Sequence, residues 1–149
     1  MLKKFVWLVS ILLVCSFVLT ACAKEPVVEE PAAVDCRAQT TSEAVGSYQV
    51  PAPIDGCYNV AYVYVGPHDD GGWSQSHDVG RLWVEENLEG VHTAYVENVA
   101  EGADSEQVTR SLARKGFDVI FTTSFGFMDS SETVANEFPD VDIIHVSGY

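Results

Sequence analysis

Positive charge is scarce in this chain. Its 149 residues hold 8 Lys and Arg against 22 Asp and Glu, a formal net charge of −14. The few cations are scattered. That excludes nucleic acid as a partner, because phosphate contacts need clustered Lys and Arg, and it leaves no basic patch for an anionic lipid surface. Phosphate-binding loops are missing too. There is no Gly-x-Gly-x-x-Gly, no Lys-Ser/Thr follows Gly71, and Asp69 and Asp70 would repel a phosphate. Nucleotide cofactors are therefore excluded and no cofactor is expected. The chain has no Gly-x-Ser-x-Gly elbow, and Ser124-Phe125-Gly126 does not supply one. It has no Cys-x-x-Cys. His68, Asp69, Asp70, His77 and Asp78 lie close in sequence, but their spacing matches no catalytic zinc pattern, so they read as capping and hydrogen-bonded residues and no metal is expected.

Long apolar runs are also few. The longest is Phe5 to Leu19, behind Lys3 and Lys4 and broken only by Ser10 and Ser16. It is shorter than the roughly 20 residues of a spanning helix. A basic start, a short apolar run and small residues before a cut site make a secretory signal. Leu19-Thr20-Ala21-Cys22 resembles a bacterial lipobox. Residues 1–21 are expected to be removed, and Cys22 to become the lipidated N-terminus. The protein is then attached to the membrane on its extracytoplasmic face without spanning it.

Residues 22–57 are expected to form a flexible tether. The stretch is acidic, carries Pro26, Pro31, Pro51 and Pro53, and shows no sustained period. After processing, Cys36 and Cys57 are left over. In an exported protein two such cysteines can pair, which would pin the tether to the start of the domain.

Residues 58–149 read as an α/β domain. Asn59 to Val65 is an apolar, β-branched and aromatic run, as in a strand buried on both faces. Helical spacing follows from Trp73 to Leu88, with Val79 and Trp83, then Val84 and Leu88, as i,i+4 pairs. Val91 to Val99 is a second strand. Asp104-Ser105-Glu106-Gln107 has the form of a capping box opening a helix that ends at Gly116. Asp118 to Thr123 is a third strand, Asp129-Ser130-Ser131-Glu132 a second capping box, and Val141 to Val146 a fourth strand. The alternation predicts a parallel sheet with right-handed crossovers and flanking helices. The chain stops directly after the fourth strand, so an incomplete first lobe is expected.

In open α/β sheets, ligands bind beyond the carboxyl ends of the strands. Three loops qualify, over residues 66–73, 97–104 and 123–129. Trp73, Phe125 and Phe127 offer flat surfaces, while Asp70, Asn98, Asp104 and Asp129 offer acceptors. Such a set suits a neutral ring bearing hydroxyl or amino groups.

Taken in order, Val63-Tyr64-Val65-Gly66-Pro67, Asp70-Gly71-Gly72-Trp73, His77-Asp78-x-Gly80-Arg81, Tyr95-Val96-Glu97-Asn98-Val99, Glu101-Gly102-Ala103-Asp104, Thr123-Ser124-Phe125-Gly126-Phe127-Met128-Asp129 and Phe138-Pro139-Asp140-Val141 resemble the basic membrane protein (BMP) family of ABC-importer solute-binding lipoproteins. The resemblance implies a periplasmic-binding-protein-like fold of two lobes, no enzymatic activity, and a purine base or nucleoside as ligand. It makes Asp70, Trp73, Ser124, Phe125 and Asp129 ligand contacts; with Gly72 and Asn98 they complete the expected ligand-binding set. Nucleoside binders of the family often carry Phe at the position of Trp73, so a bare base such as adenine is implied. The implied partners are ABC permease subunits, with the protein itself a monomer. The alternatives are a ligand-sensing lipoprotein of a signalling system and a nucleoside hydrolase using His77 and Asp70.

Overall fold

A computed structural model describes residues 33–149, which form one compact unit, Ala33–Tyr149. The signal segment and Cys22 lie outside the described residues. The unit contains a short hairpin, β1 (Ser42–Val45) and β2 (Tyr48–Pro51), followed by β3 (Tyr58–Val63), α1 (Trp73–Asn87), β4 (Val91–Val96), α2 (Ala103–Lys115), β5 (Val119–Thr122), a single 3₁₀ turn (Phe125–Phe127), α3 (Met128–Glu137) and β6 (Asp142–His145). Strands β3 to β6 pair in parallel in the order β4-β3-β5-β6.

The first parallel strand, β3, therefore sits inside the sheet. Its successor β4 lies on one side of it and β5 on the other. Strand order reverses at β3, which opens a crevice at the carboxyl ends of β3 and β5. Five of the six β3 residues are buried, as expected of a strand covered on both faces. Alternation then splits the core in two. Ala61 and Val63, with Ala94, Val96 and Ile120, face α2 and α3 and meet Val108, Leu112, Phe117, Phe127 and Val134. Val60, Tyr62 and Tyr64 face the other way, with Val119, Tyr95 and Phe121. Tyr62 stacks on Phe121 at 4.9 Å.

Helix α1 reverses the expected polarity. Val79 and Trp83, the spaced apolar pair, are 60% and 58% exposed, whereas Ser74, Asp78 and Arg81 are buried. The sheet surface beneath supplies the reason, since it presents hydroxyls and rings instead of aliphatic groups. Tyr64 Oη donates to Asp78 Oδ1 at 3.2 Å. Arg81 donates through Nε to Asp78 Oδ1 at 2.6 Å and through Nη1 to Glu85 at 2.7 Å and Thr93 Oγ1 at 3.2 Å. Its guanidinium also lies 5.0 Å over the Tyr95 ring. Burial, and then the Asp78 charge, push the Tyr64 hydroxyl far above the ordinary tyrosine range, so it stays a donor.

Both expected capping boxes are absent. Helix α2 starts at Ala103 and α3 at Met128, and neither N-cap residue makes a side-chain cap bond. Tertiary and local partners take the hydroxyls and carboxylates. Asp104 accepts from Tyr48 Oη at 2.8 Å. Ser105 and Ser130 share a hydrogen bond at 2.8 Å between the two helices, and Ser130 and Ser131 both donate to the Phe127 carbonyl.

The described part of the expected tether is folded. β1 and β2 pair antiparallel across a two-residue turn, Gly46-Ser47, where Gly46 has φ 61°. Primed hairpin turns need such positive φ, which glycine adopts without a Cβ clash. Val50 of β2 is fully buried in the main core. Strands of four residues are too short to show a period in sequence, and their stability comes from this packing. Cys36 and Cys57 are joined, with Cα atoms 5.8 Å apart and a sequence separation of 21. Closing a loop of that length contributes about 3 kcal/mol in the chain-entropy view. Next to the bridge, Arg37 donates to the carbonyls of Glu85 at 2.9 Å and Glu86 at 3.1 Å, capping the end of α1.

Candidate functional site

The three loops at the carboxyl edge are tied to one another by side chains. In the first, Asp70 spends its carboxylate on the start of α1. Oδ1 accepts the backbone N–H of Gly72 at 2.8 Å and of Gln75 at 3.0 Å, and Oδ2 accepts that of Ser74 at 3.1 Å. These backbone donors hold its pKa below the usual carboxylate value. Asp70 thus supplies the cap that Gly72, the N-cap residue, cannot.

That cap sets the rotation of Trp73, the first residue of α1. The indole Nε1–H donates to the carbonyl of Thr123 at 2.6 Å, crossing from the first loop to the third. His77, one turn on, meets the ring edge-on at 4.8 Å and 74°. With its edge pinned on two sides, Trp73 remains 47% exposed. A held aromatic face that is open to solvent is a stacking surface with little rotamer freedom to lose.

The third loop continues from Thr123. Ser124 is buried, and its hydroxyl donates to Glu101 Oε1 at 2.7 Å. Phe125 is 57% exposed and Phe127 is fully buried. Asp129, in the first turn of α3, is exposed. In the second loop, Asn98 adopts φ 56°, and its backbone N–H donates to Gly66 O at 3.2 Å. Asn98 borders an open depression of about 510 Å³ with Tyr48, Tyr95 and Glu97. Glu97 Oε2 accepts from the His68 backbone at 2.7 Å and lies 2.8 Å from His68 Nδ1. The hydrogen bond to Glu97 raises the pKa of His68, while burial lowers that of His77.

The fold therefore brings Asp70, Gly72, Trp73, Ser124 and Phe125 to the crevice between β3 and β5. Asn98 and Asp129 flank that group, and no side-chain hydrogen bond joins them to it among the described residues. Phe127 is a core residue, and Asp104 serves the hairpin. Two residues of the segments quoted above are not among the contacts expected from the sequence. Thr123 enters through its carbonyl, which no motif displays, and Glu101 enters through a contact with residues more than 20 positions away. No group of three or more His, Cys, Asp or Glu among the described residues is placed to hold a metal ion.

Comparison with known proteins places this geometry. The family model of PnrA-like ABC transporter substrate-binding proteins (Bmp) matches residues 57–149. A purine-binding protein of Brucella abortus is 48% identical over 91 residues, 60% of this chain and 26% of that protein. A putative ABC transporter glucose-binding protein of Haloferax volcanii is 39% identical over 111 residues, 74% of this chain and 28% of that protein. The chain thus spans about a quarter of the length of these relatives. Solved ABC transporter solute-binding proteins share the fold. One from Conexibacter woesei has a TM-score of 0.55 at 24% identity, over 58% of this chain and 28% of that one. Another, from Aeropyrum pernix, has a TM-score of 0.53 at 24% identity, over 58% and 24%. Each of these is named as a solute-binding or ligand-binding protein. With the family match covering the whole sheet and all three edge loops, the chain belongs to the Bmp family of PnrA-like ABC transporter substrate-binding proteins.

Proposed function

We propose that this chain is part of the lipid-anchored, extracytoplasmic solute-binding component of an ABC importer, and that its ligand is a purine base or nucleoside. The observation that carries the ligand class is Trp73. Its ring is 47% exposed and is fixed at the strand edge by the bond to Thr123, two residues before the turn that presents Phe125. Two aromatic faces beside carboxylates suit a flat heterocycle with N–H donors. The purine-binding relative at 48% identity supports the same class. A second reading is a hexose, favoured by the glucose-binding name of the Haloferax relative; rings and carboxylates also serve sugar hydroxyls. The permease subunits of the importer are the proposed protein partners.

Calorimetry or NMR titration of the chain with adenine, adenosine, guanosine, inosine and glucose separates these readings. We expect weak binding of a purine, because one lobe supplies only part of a cleft. Trp73→Ala is expected to cost about 1–3 kcal/mol of that affinity, the range for base–aromatic stacking. Trp73→Phe keeps a ring and should retain most of it. Normal purine affinity in Trp73→Ala would remove the stacking role.

Anchoring rests on the lipobox ending at Cys22. Cys22→Ala is expected to release the protein from the membrane fraction. Unchanged retention with an intact signal cut would contradict lipidation.

A further inference from the structure

The second loop contributes a carboxylate, Glu101, to which the sequence reading gave no role. Glu101 lies two residues before α2, on the exposed surface. Its Oε1 accepts two bonds from the third loop, the Ser124 hydroxyl at 2.7 Å and the Gly126 backbone N–H at 3.2 Å. The fit is close: a Cβ built at Gly126 would overlap the Glu101 carboxylate. A side chain at this position would have to push the Glu101 carboxylate off the turn. Three of the four residues from Thr123 to Gly126 are held by the other two loops, Thr123 by Trp73 from the first and Ser124 and Gly126 by Glu101 from the second. Phe125, between the two Glu101 contacts, keeps its ring exposed.

The other oxygen, Oε2, makes no hydrogen bond among the described residues. Asp70 is differently placed, because its two oxygens already serve three backbone donors. Trp73 and Glu101 both contact the Thr123–Gly126 stretch, so a ring held beside Phe125 has an available carboxylate oxygen nearby. We propose that Glu101 is a positioning and specificity residue of this site. Oε1 sets the turn that presents Phe125, and Oε2 accepts an N–H or O–H donor from the bound ring. The ligand half rests on the function proposed above; the positioning half does not.

Two variants separate the halves. In Glu101→Gln the amide oxygen must stay toward Ser124 and Gly126, since both are donors, and the remaining atom becomes an NH₂ that cannot accept. In Glu101→Ala both roles are lost. The measurement is a ¹⁵N NMR titration of the full chain with adenine, hypoxanthine and glucose, together with the amide exchange rate of Gly126. Glu101→Gln should keep the protected Gly126 amide, bind adenine at least tenfold more weakly, and shift preference toward hypoxanthine, which has a carbonyl where adenine has an amino group. Glu101→Ala should lose Gly126 protection and adenine binding together. If glucose is what binds, the same tenfold loss in Glu101→Gln is expected with glucose.

Adenine binding in Glu101→Gln within twofold of wild type would overturn the ligand contact. An unchanged Gly126 exchange rate in Glu101→Ala would overturn the positioning role. A wild-type chain that responds to no purine and no sugar would overturn the proposed function, and the ligand contact with it, while the Gly126 amide still decides the positioning role.

Discussion

Asp78→Ala is expected to lower stability by about 3–5 kcal/mol, the cost of leaving a buried charge without its partner. The Asp78 and Arg81 side chains are 5% and 9% exposed, and their bond at 2.6 Å is the centre of the contact between α1 and the sheet. Removing Asp78 takes the more buried of Arg81's two carboxylate partners and leaves the buried Tyr64 hydroxyl without its acceptor. Glu85, Thr93 and the Tyr95 ring still surround Arg81 and temper the loss. Domains of this size have about 5–15 kcal/mol in total, so the variant is near the limit of folding. Urea denaturation measures the effect. The double variant Asp78→Ala, Arg81→Met should recover part of the loss, because the buried charge is gone and an apolar side chain fills its space. A loss below about 1 kcal/mol in the single variant, within the range of exposed pairs, would show that solvent reaches this pair. Trp73 begins the same helix, so destabilising α1 also loosens the stacking surface.

Phe127→Ala is the second large effect, about 3–5 kcal/mol, as for other buried phenylalanines. The ring is fully enclosed in the main core. Its carbonyl accepts the hydroxyls of Ser130 and Ser131 at 2.9 and 2.6 Å. The residue therefore anchors the turn from β5 into α3 by packing and by hydrogen bonds. Phe125 stands two positions away and is more than half exposed. Phe125→Ala should change stability by no more than about 0.5 kcal/mol, as for most surface sites. Thermal melts of the two variants test the contrast directly. Equal losses would mean that the turn rotates to bury either ring.

The two phenylalanines show where sequence reading stops. Their spacing, Phe125-Gly126-Phe127, gives no sign of which ring turns inward. The 3₁₀ turn decides, by placing neighbouring side chains on different sides of the chain. The same limit applies to α1. Val79 and Trp83 keep helical spacing, so the pattern correctly announced a helix. Which side faced the sheet depended on Tyr64, Thr93 and Tyr95, residues of other strands whose hydroxyls and rings favour Asp78 and Arg81 over an apolar stripe.

The parallel sheet was legible from local information. The doubly buried run of β3, the alternation of strands with helices, and the glycine-rich loop before Trp73 each lie within a few residues, and each has a physical consequence that does not depend on the rest of the chain. That alternation also placed the site, since the carboxyl edge follows from strand direction alone. The hairpin of β1 and β2 was not legible, because four-residue strands gain their stability only when Val50 enters the core beside β4 and α2. Nor were the capping assignments, because Asp104 accepts from Tyr48 in the hairpin, and Ser105 and Ser130 bond each other across two helices as well as carbonyls at their own helix starts. Glu101 is the clearest case. Composition marks it as one acid among many, and only the close approach of the second loop to the third brings its carboxylate onto Ser124 and Gly126, because a contact spanning 23 to 25 positions is set by the packing of the sheet and not by the chain between them.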